Sequence, residues 1–349
     1  MFESQQILQT VREWNERRVP FALATVVGVR GSTYRGLAAR QLMSTDGVSV
    51  GTVSGGCLDQ DLAKVVDRVV AEGRASLVEF DLTADDEAVW GWGIGCNGAT
   101  ELLVEPARSA IELAAMAETM PAAIIHDLSG ENLGCHRPVE LGDPEWGQTV
   151  ASARAAGRHA RVHQSGQSYL IEVLSGPPRL VVCGAGHDAV PLVKLAADLG
   201  FEVTVVDDRR QFLAAERFPE AALLVHCRPA DLASRVPLDQ ATSIVIMSHN
   251  YVRDLAFLGA TRGSEVAYVG CLGPGERLER MLKDLAADGV VFDPDELARL
   301  HGPAGLDLGA EGPFEIAWSV LAEVMATRRH ASGGSLVLRK GPAELRQSP

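Results

Sequence analysis

Residues 179–208, RLVVCGAGHDAVPLVKLAADLGFEVTVVDD, carry the clearest fold signal in this sequence. They predict a strand, a glycine-rich turn, an amphipathic helix and a second strand. Gly184, Gly186 and Ala189 have the G-x-G-x-x-G/A spacing of a nucleotide-binding turn, where glycines let the backbone approach a phosphate at a helix N-terminus. Asp207 ends the second strand, close to where such folds place a ribose-binding acid. We therefore expect a nucleotide-type ligand here; a turn of the same shape without a ligand is the alternative.

The alternation of strand and helix continues through the rest of the chain. Apolar runs at 221–227, 242–250 and 265–273 are each followed by polar or helical sequence, as in parallel α/β sheets. We expect a Rossmann-like, doubly wound parallel sheet over residues 177–330. A flexible tail is expected over 331–349, which holds glycine, proline and charge without periodicity.

The first half of the chain has a different pattern, typical of an α+β domain. Residues 4–18 predict a helix, and Asp46-Gly47 is a strong hairpin-turn signal. After Cys57, an amphipathic helical pattern runs to Gly73 and stops there.

A strand-rich segment at 121–176 completes this first domain. The sequence SGPP at 175–178 marks the boundary, so we expect domains at 1–176 and 177–330. The predicted fold class is α/β, with an N-terminal α+β domain followed by the C-terminal Rossmann-like domain. Two domains also agree with a length of 349 residues, since one hydrophobic core rarely serves so long a chain.

Charge and composition exclude several classes of protein. The net charge of −14 argues against binding to nucleic acid or to an anionic membrane surface. The sequence shows no secretory signal and no apolar run of roughly 18 residues, so we expect a cytoplasmic protein. Six scattered cysteines are too few for a disulfide scaffold, and their spacing does not indicate structural zinc. Reduced thiols are therefore expected.

Two cysteines lie in glycine-rich turns of the first domain. Cys57 follows Gly55 and Gly56 and precedes the predicted helix, whose dipole favours a thiolate. Cys96 lies in GIGCNG, where small neighbours leave the sulfur open. Because this pattern occurs twice, we expect reactive or ligand-binding thiols; inert loop cysteines are the ordinary alternative.

The other four cysteines have simpler interpretations. Cys183 and Cys227 end apolar strands and are expected in the core. Cys135 lies in a turn and has no evident partner. Cys271 follows a strand at the carboxyl edge of the parallel sheet, where ligands of such folds bind, so a core role and a ligand role both stay open.

Polar residues in or near these turns are further candidates for binding. His187 in the glycine-rich turn could donate to a phosphate or only cap the helix, and His249 follows a buried strand at the same sheet edge with the same two alternatives. Arg30, Arg35 and Arg40 form a local group of cations in an acidic protein, and guanidinium groups suit phosphate or carboxylate. Solvated surface arginines are the alternative.

Segments of both domains resemble one known family. GSTYRGLAARQLMSTDGVSVGTVSGGCLDQDL (31–62) and GIGCNGATELLVEP (93–106) are similar to signature stretches of the XdhC/CoxI family, the accessory factors of xanthine dehydrogenase and related molybdenum hydroxylases. The segments at 179–209 and 301–326 resemble that family's C-terminal Rossmann domain. The similarity preserves the order of the two domains.

The resemblance implies a cytoplasmic chaperone that binds molybdenum cofactor, in the molybdopterin or the dinucleotide form, protects it and inserts it into a xanthine dehydrogenase-type molybdoenzyme. It also implies a cysteine desulfurase as the source of the cofactor's terminal sulfur, a homodimer, and no turnover by the chaperone itself. Cys57 and Cys96 would contact molybdenum or carry sulfur, as thiolates do at soft metals.

Two other functions agree with the same residues. An NAD(P)-dependent oxidoreductase would use the Rossmann turn for its cofactor, with His187 or His249 as acid or base. A nucleotide-sensing interaction protein would bind its ligand while both turn cysteines serve the structure only. Molybdenum bound to the isolated protein would distinguish the chaperone from both.

Overall fold

The structure, a computed structural model, describes residues 2–81 and 98–335, with side chains from residue 6 onward. The chain divides into two compact units, one ending at Ser175 and the other beginning at Gly176. Cys96 and most of the predicted tail over 331–349 lie outside the described residues.

The first unit contains a five-stranded antiparallel sheet. Its strands are β1 (Phe21–Gly31), β2 (Arg40–Ser44), β3 (Ser49–Gly51), β4 (Ser76–Asp81) and β5 (Gly98–Pro106). The order across the sheet is β3-β2-β1-β5-β4, which places β1 at its centre.

Helices cover both faces of this sheet. They are α1 (Phe2–Glu16), α2 (Asp59–Glu72) and α3 (Ala107–Glu118). Phe21 and Leu23 of β1 pack beside α1 and α3, whereas Ala22 and Val26 on the opposite face pack beside α2. Since both faces of β1 are buried, its sequence is an apolar run instead of an alternating one.

Two local predictions are confirmed in this unit. Strands β2 and β3 form the expected hairpin, with Gly47 at φ +87° in its turn. Helix α2 follows Cys57 and ends at Gly73, which adopts the left-handed conformation at the C-cap. The first helix ends at Glu16 and not at residue 18, because Arg18 has a positive φ of +55° that turns the chain toward β1.

A four-stranded antiparallel sheet completes the first unit. It contains β6 (Ala123–Asp127), β7 (His136–Val139), β8 (Ala160–Gln164) and β9 (Gln167–Val173), with helix α4 (Gly147–Ala155) between β7 and β8. The order is β7-β6-β9-β8. One face packs on Trp146 and Val150. On the other face, Leu170 packs with Val27 and Leu103 of the five-stranded sheet, so the two sheets share a core.

The second unit has a six-stranded sheet in which every strand pair is parallel. Its strands are β10 (Arg179–Cys183), β11 (Glu202–Asp207), β12 (Leu223–His226), β13 (Thr242–Ile246), β14 (Tyr268–Cys271) and β15 (Leu300–His301). The order β12-β11-β10-β13-β14-β15 is the 3-2-1-4-5-6 order of doubly wound nucleotide-binding folds. The predicted fold class is confirmed.

Helices lie on both faces of the parallel sheet. They are α5 (Ala189–Asp198), α6 (Leu232–Arg235), α7 (Tyr251–Ala260), α8 (Gly275–Ala287), α9 (Pro294–Leu297) and α10 (Pro313–Arg328). Helices α5 and α10 pack on one face, in a core that includes Val203, and α7 and α8 pack on the other, in a core that includes Val269. Within residues 2–81 and 98–335, no helix combines the length and the apolar character that crossing a membrane requires.

Candidate functional site

Cys57 is exposed in the turn that enters α2. The Ser54 hydroxyl accepts hydrogen bonds from the backbone N–H groups of Gly56, at 3.0 Å, and Leu58, at 3.4 Å. Gly56 has φ +98°, and no atom of the described residues beyond its chain neighbours lies within 4 Å of the place where a Cβ would stand. The turn thus holds the cysteine just ahead of the helix, beside open space.

Gly55, the other glycine of this turn, faces an aromatic ring. A Cβ on Gly55 would lie 3.9 Å from the ring of Tyr34. Tyr34, Cys57 and Gly98 all line a small pocket of about 10 Å³, which has room for one water molecule. In the sequence, Gly98 comes two residues after Cys96. Cys96 itself is outside the described residues, so its role stays a prediction.

The three arginines predicted as one cationic group do not share a pocket. Arg30 is exposed and forms ion pairs with two carboxylates of β4, each at 3.0 Å. Arg40 is buried and paired with Glu172. Arg35 is half-buried, and its carbonyl accepts a hydrogen bond from the Thr33 hydroxyl at 3.1 Å. The prediction of a joint pocket is wrong, because carboxylates of β4 and β9 neutralise two of its members.

The glycine-rich turn joins β10 to α5. Gly184 has φ +119°, and a Cβ there would stand 2.7 Å from backbone atoms of Ser248, in the turn after β13. Glycine is therefore required for this close approach of two turns. Gly186 lies beside the Asp188 carboxylate. Among the described residues, no acceptor binds the backbone N–H groups of Gly186 and His187, so the start of α5 can receive an anion.

Asp207 ends β11, and both its carboxylate oxygens are engaged within the protein. One oxygen accepts from the N–H of Ala185 at 2.7 Å, and the Arg209 guanidinium donates to the two oxygens at 2.8 and 2.9 Å. Burial would raise the pKa of Asp207, but the hydrogen bonds from Arg209 and Ala185 bring it below its ordinary value. Arg217 donates to the carbonyls of Ala185 and Gly186 at 3.0 and 3.1 Å. Asp207 and Arg217 therefore brace the glycine-rich turn.

The two histidines at the sheet edge have different surroundings. His187 is exposed. His249 has φ +56°, and its Nε2 lies 2.6 Å from a carboxylate oxygen of Asp188. The N-cap of α7 is Asn250, whose side-chain oxygen accepts from the N–H of Arg253 at 3.0 Å. His249 thus links the turns after β10 and β13 and does not cap the helix.

The other cysteines of the described residues divide by burial. Cys183 and Cys227 lie in the core as predicted, and burial raises the pKa of both thiols. Cys271 lies in the same core, where burial raises the pKa of its thiol to about 12. Its core role therefore holds, and a ligand role does not. Cys135 is exposed.

A buried polar cluster in the first unit was not predicted from the sequence. Arg40 donates to both carboxylate oxygens of Glu172, at 2.7 and 2.5 Å, beside a cavity of about 290 Å³. Nε2 of His126 lies 2.9 Å from the same carboxylate. Burial would raise the pKa of Glu172, but Arg40 and His126 hold it well below its usual range. Burial lowers the pKa of His126, with Glu172 opposing that shift.

Glu105 and His136 extend this cluster. Both side chains are buried, and Nε2 of His136 lies 2.7 Å from Oε1 of Glu105. The His126 and His136 rings pack edge to face with their centroids 4.8 Å apart. The signal that could have found the cluster is a polar residue inside an apolar strand, as in ELLVEP around Glu105 and YLIEVL around Glu172.

The fold and the turns define a protein with a nucleotide-binding type of Rossmann unit and a separate α+β unit that presents an exposed thiol. A family model described as the XdhC Rossmann domain matches residues 180–324, and one described as the XdhC and CoxI family matches residues 14–81. The first match covers the parallel sheet, and the second includes the Cys57 turn. The chain belongs to the XdhC and CoxI family.

Named relatives extend over most of the chain. It is 29% identical over 318 residues to a Bacillus subtilis protein named as a probable subunit of xanthine dehydrogenase. That match covers 89% of this chain and 94% of the relative. It is 24% identical over 312 residues to the molybdenum cofactor insertion chaperone PaoD of Escherichia coli. That match covers 88% of this chain and 83% of the relative. A crystal structure of a protein described as a xanthine dehydrogenase from Bacillus halodurans has a TM-score of 0.73 and 26% identity, covering 95% of this chain and 98% of that one.

Proposed function

We propose that the protein is a molybdenum cofactor chaperone that protects the cofactor, supports its sulfuration by a cysteine desulfurase and inserts it into a xanthine dehydrogenase-type enzyme. Family membership supports this, as do one relative named as part of a xanthine dehydrogenase and another named as a molybdenum cofactor insertion chaperone. The observation that carries the proposal is the exposed thiol of Cys57, held at the entrance to α2 beside open space.

Cys57 has a side chain that can contact a molybdenum centre. Thiolate sulfur is a soft metal ligand, and it can also carry a sulfur atom for transfer. The adjoining pocket of about 10 Å³ is too small to enclose a pterin, so the cofactor would lie against the surface of the turn. Contact of this open kind suits a cargo that must be released to another protein.

We further propose that the glycine-rich turn of the second unit binds a phosphate group. The N–H groups of Gly186 and His187 precede α5, whose positive end favours an anion. Asp207 and Arg217 brace this turn from the protein side, so it is ordered before a ligand arrives. The exposed ring of His187 adds a further donor.

The test is cofactor retention after anaerobic purification from molybdenum-replete cells. Cys57→Ser is expected to lower bound molybdenum and pterin about tenfold, a size of loss typical when a metal site is altered. Cys135→Ser changes the other exposed cysteine in the described part of the first unit and is the matched control. Wild-type molybdenum content in both variants would show that the Cys57 thiol does not hold the cofactor.

Activation of a target enzyme gives a second readout. Protein loaded with cofactor is expected to restore activity to a cofactor-free xanthine dehydrogenase-type enzyme, and Cys57→Ser is expected to restore less. A change in NAD(P) absorbance with a small substrate, in the absence of molybdenum, would support the oxidoreductase alternative instead. The homodimer and the cytoplasmic location stay predictions.

A further inference from the structure

We propose that Glu105, His126 and His136 form a buried binding site for a divalent transition-metal ion such as Zn²⁺. The three residues lie on β5, β6 and β7, and one ligand atom from each lies within 4.8 Å of the others. Two imidazoles and one carboxylate are a common ligand set for Zn²⁺, with a water molecule at the fourth position. The site contains neither Cys57 nor the glycine-rich turn, so it is independent of the proposed chaperone function.

Buried polar atoms without partners point to a missing ligand. Glu105 and His126 are fully buried, and the side chain of His136 is 1% exposed. Within the described residues, no hydrogen bond reaches either carboxylate oxygen of Glu105, either ring nitrogen of His136, or Nδ1 of His126. Nε2 of His136 and Oε1 of Glu105 lie 2.7 Å apart, but their orientation does not form a hydrogen bond. So many unpartnered polar atoms around one point destabilise the fold unless a further group binds them.

The surroundings of His126 determine which of its nitrogens is available. Its Nε2 lies 2.9 Å from Glu172, and Arg40 donates to both oxygens of that carboxylate. A carboxylate held by a guanidinium accepts hydrogen bonds and does not donate, so Nε2 carries the proton and Nδ1 carries the lone pair. Metal-binding histidines are commonly oriented in this way by a carboxylate behind the ring. Arg40 and Glu172 are therefore positioning residues for this ligand.

The backbone brings the three ligands together from two sheets. His126 and His136 are direct cross-strand partners in the four-stranded sheet, so their rings lie on the same face. Glu105 belongs to the five-stranded sheet. The loop between β6 and β7 closes over it, since a Cβ on Gly134 would stand 3.6 Å from Oε1 of Glu105. A bound metal would tie β5 to the hairpin of β6 and β7.

The three ligand atoms lie within 4.8 Å of one another, so a bound metal would draw the widest pair together by up to about 1.4 Å. Tetrahedral Zn²⁺ with bonds of about 2.1 Å places its ligand atoms about 3.4 Å apart. The Glu105 and His136 atoms, now 2.7 Å apart, would separate by less than about 1 Å. Side-chain rotations of the ligands would supply these movements.

The test is zinc binding by the full chain. Protein carrying Cys57→Ser, which removes one of the two exposed thiols of the described residues as a competing ligand, is stripped of metal by a chelator in denaturant and refolded with or without Zn²⁺. After gel filtration, about one zinc per chain is expected by mass spectrometry. Zinc at a hundredfold excess over its dissociation constant is expected to raise Tm by about 5–10 °C.

Three variants in the same background locate the metal. His136→Ala and Glu105→Gln are each expected to reduce retained zinc about tenfold or more. His163→Ala removes an exposed histidine of β8 and is the matched control, which should retain about one zinc.

Two results would overturn the proposal. The first is a zinc content below about a tenth of an equivalent in the refolded Cys57→Ser protein. This measurement does not depend on whether any of the ligand variants folds. The other is equal zinc in Glu105→Gln and His163→Ala. Because the readout is zinc and not molybdenum, its failure leaves the proposed chaperone function standing, and the reverse also holds.

Discussion

The guanidinium of Arg40 binds both carboxylate oxygens of Glu172, and the two side chains are only 2% and 7% exposed. Removal of one partner leaves the other charge buried without a counterion. Arg40→Leu is therefore expected to lower the free energy of unfolding by about 3–5 kcal/mol, measured by urea denaturation. Arg108→Ala breaks an exposed ion pair on α3 and should change stability little. A loss for Arg40→Leu as small as that of the control would contradict the prediction.

Asp207 makes the second unit sensitive to acid. Burial would raise its pKa, but Arg209 and the Ala185 N–H hold it below the ordinary value of 3.8. A carboxyl group with a lowered folded-state pKa stabilises the fold above its unfolded pKa, and this stabilisation is lost as the pH falls through the folded-state pKa. Asp207→Asn is expected to lower the free energy of unfolding at neutral pH. Below about pH 4, the free energy of unfolding of this variant should fall less steeply with decreasing pH than that of the wild type. Urea denaturation from neutral pH to below about pH 4 measures this difference. Parallel curves of unfolding free energy against pH for the variant and the wild type would refute the prediction.

Gly184 is predicted to tolerate no side chain. Its φ of +119° strains any other residue, and a Cβ would stand 2.7 Å from the carbonyl oxygen of Met247. Gly184→Ala is therefore expected to lower the free energy of unfolding by about 2–5 kcal/mol. Gly176→Ala is the control, since Gly176 has no positive φ and no described residue beyond its chain neighbours lies within 4 Å of a Cβ built there. Equal stability of the two variants would mean that the turns after β10 and β13 do not approach so closely.

Thiol modification should divide the five described cysteines into two classes. Cys57 and Cys135 are exposed and are expected to react with iodoacetamide in the folded protein. Cys183, Cys227 and Cys271 should react only on unfolding, because burial excludes the reagent and raises their pKa values. Mass spectrometry of the labelled peptides over time distinguishes the classes. Rapid labelling of Cys271 in the folded protein would contradict its place in the core.

The second unit could be predicted from the sequence because local patterns specify it. The central parallel strands β10, β13 and β14 are short runs that are buried on both faces. A turn and a polar or helical segment follow each of them, in the order that the sheet requires. The glycine spacing at Gly184 and Gly186 further identified the turn between β10 and α5. Strand β15 was not predicted, since two residues are too few to show a pattern.

The buried cluster of the first unit could not be predicted in the same way. Arg40 and Glu172 are 132 residues apart, and Glu105 and His136 come from different sheets. A polar residue within an apolar strand shows that a partner is needed, but the strand order decides which partner it meets. The proposed pocket of arginines failed for this reason, because its members found carboxylates on strands far away in the sequence.

Strand β5 begins at Gly98, which lines the pocket of Cys57, and nears its end at Glu105, in the buried cluster. It is hydrogen-bonded to β1 on one side and β4 on the other, so a slip by one residue would turn every side chain to the wrong face. The seven residue steps from Gly98 to Glu105 span about 24 Å of strand backbone. A strand held on both sides moves as one unit. A shift of the backbone at Glu105 would therefore also displace Gly98 in the pocket beside Cys57.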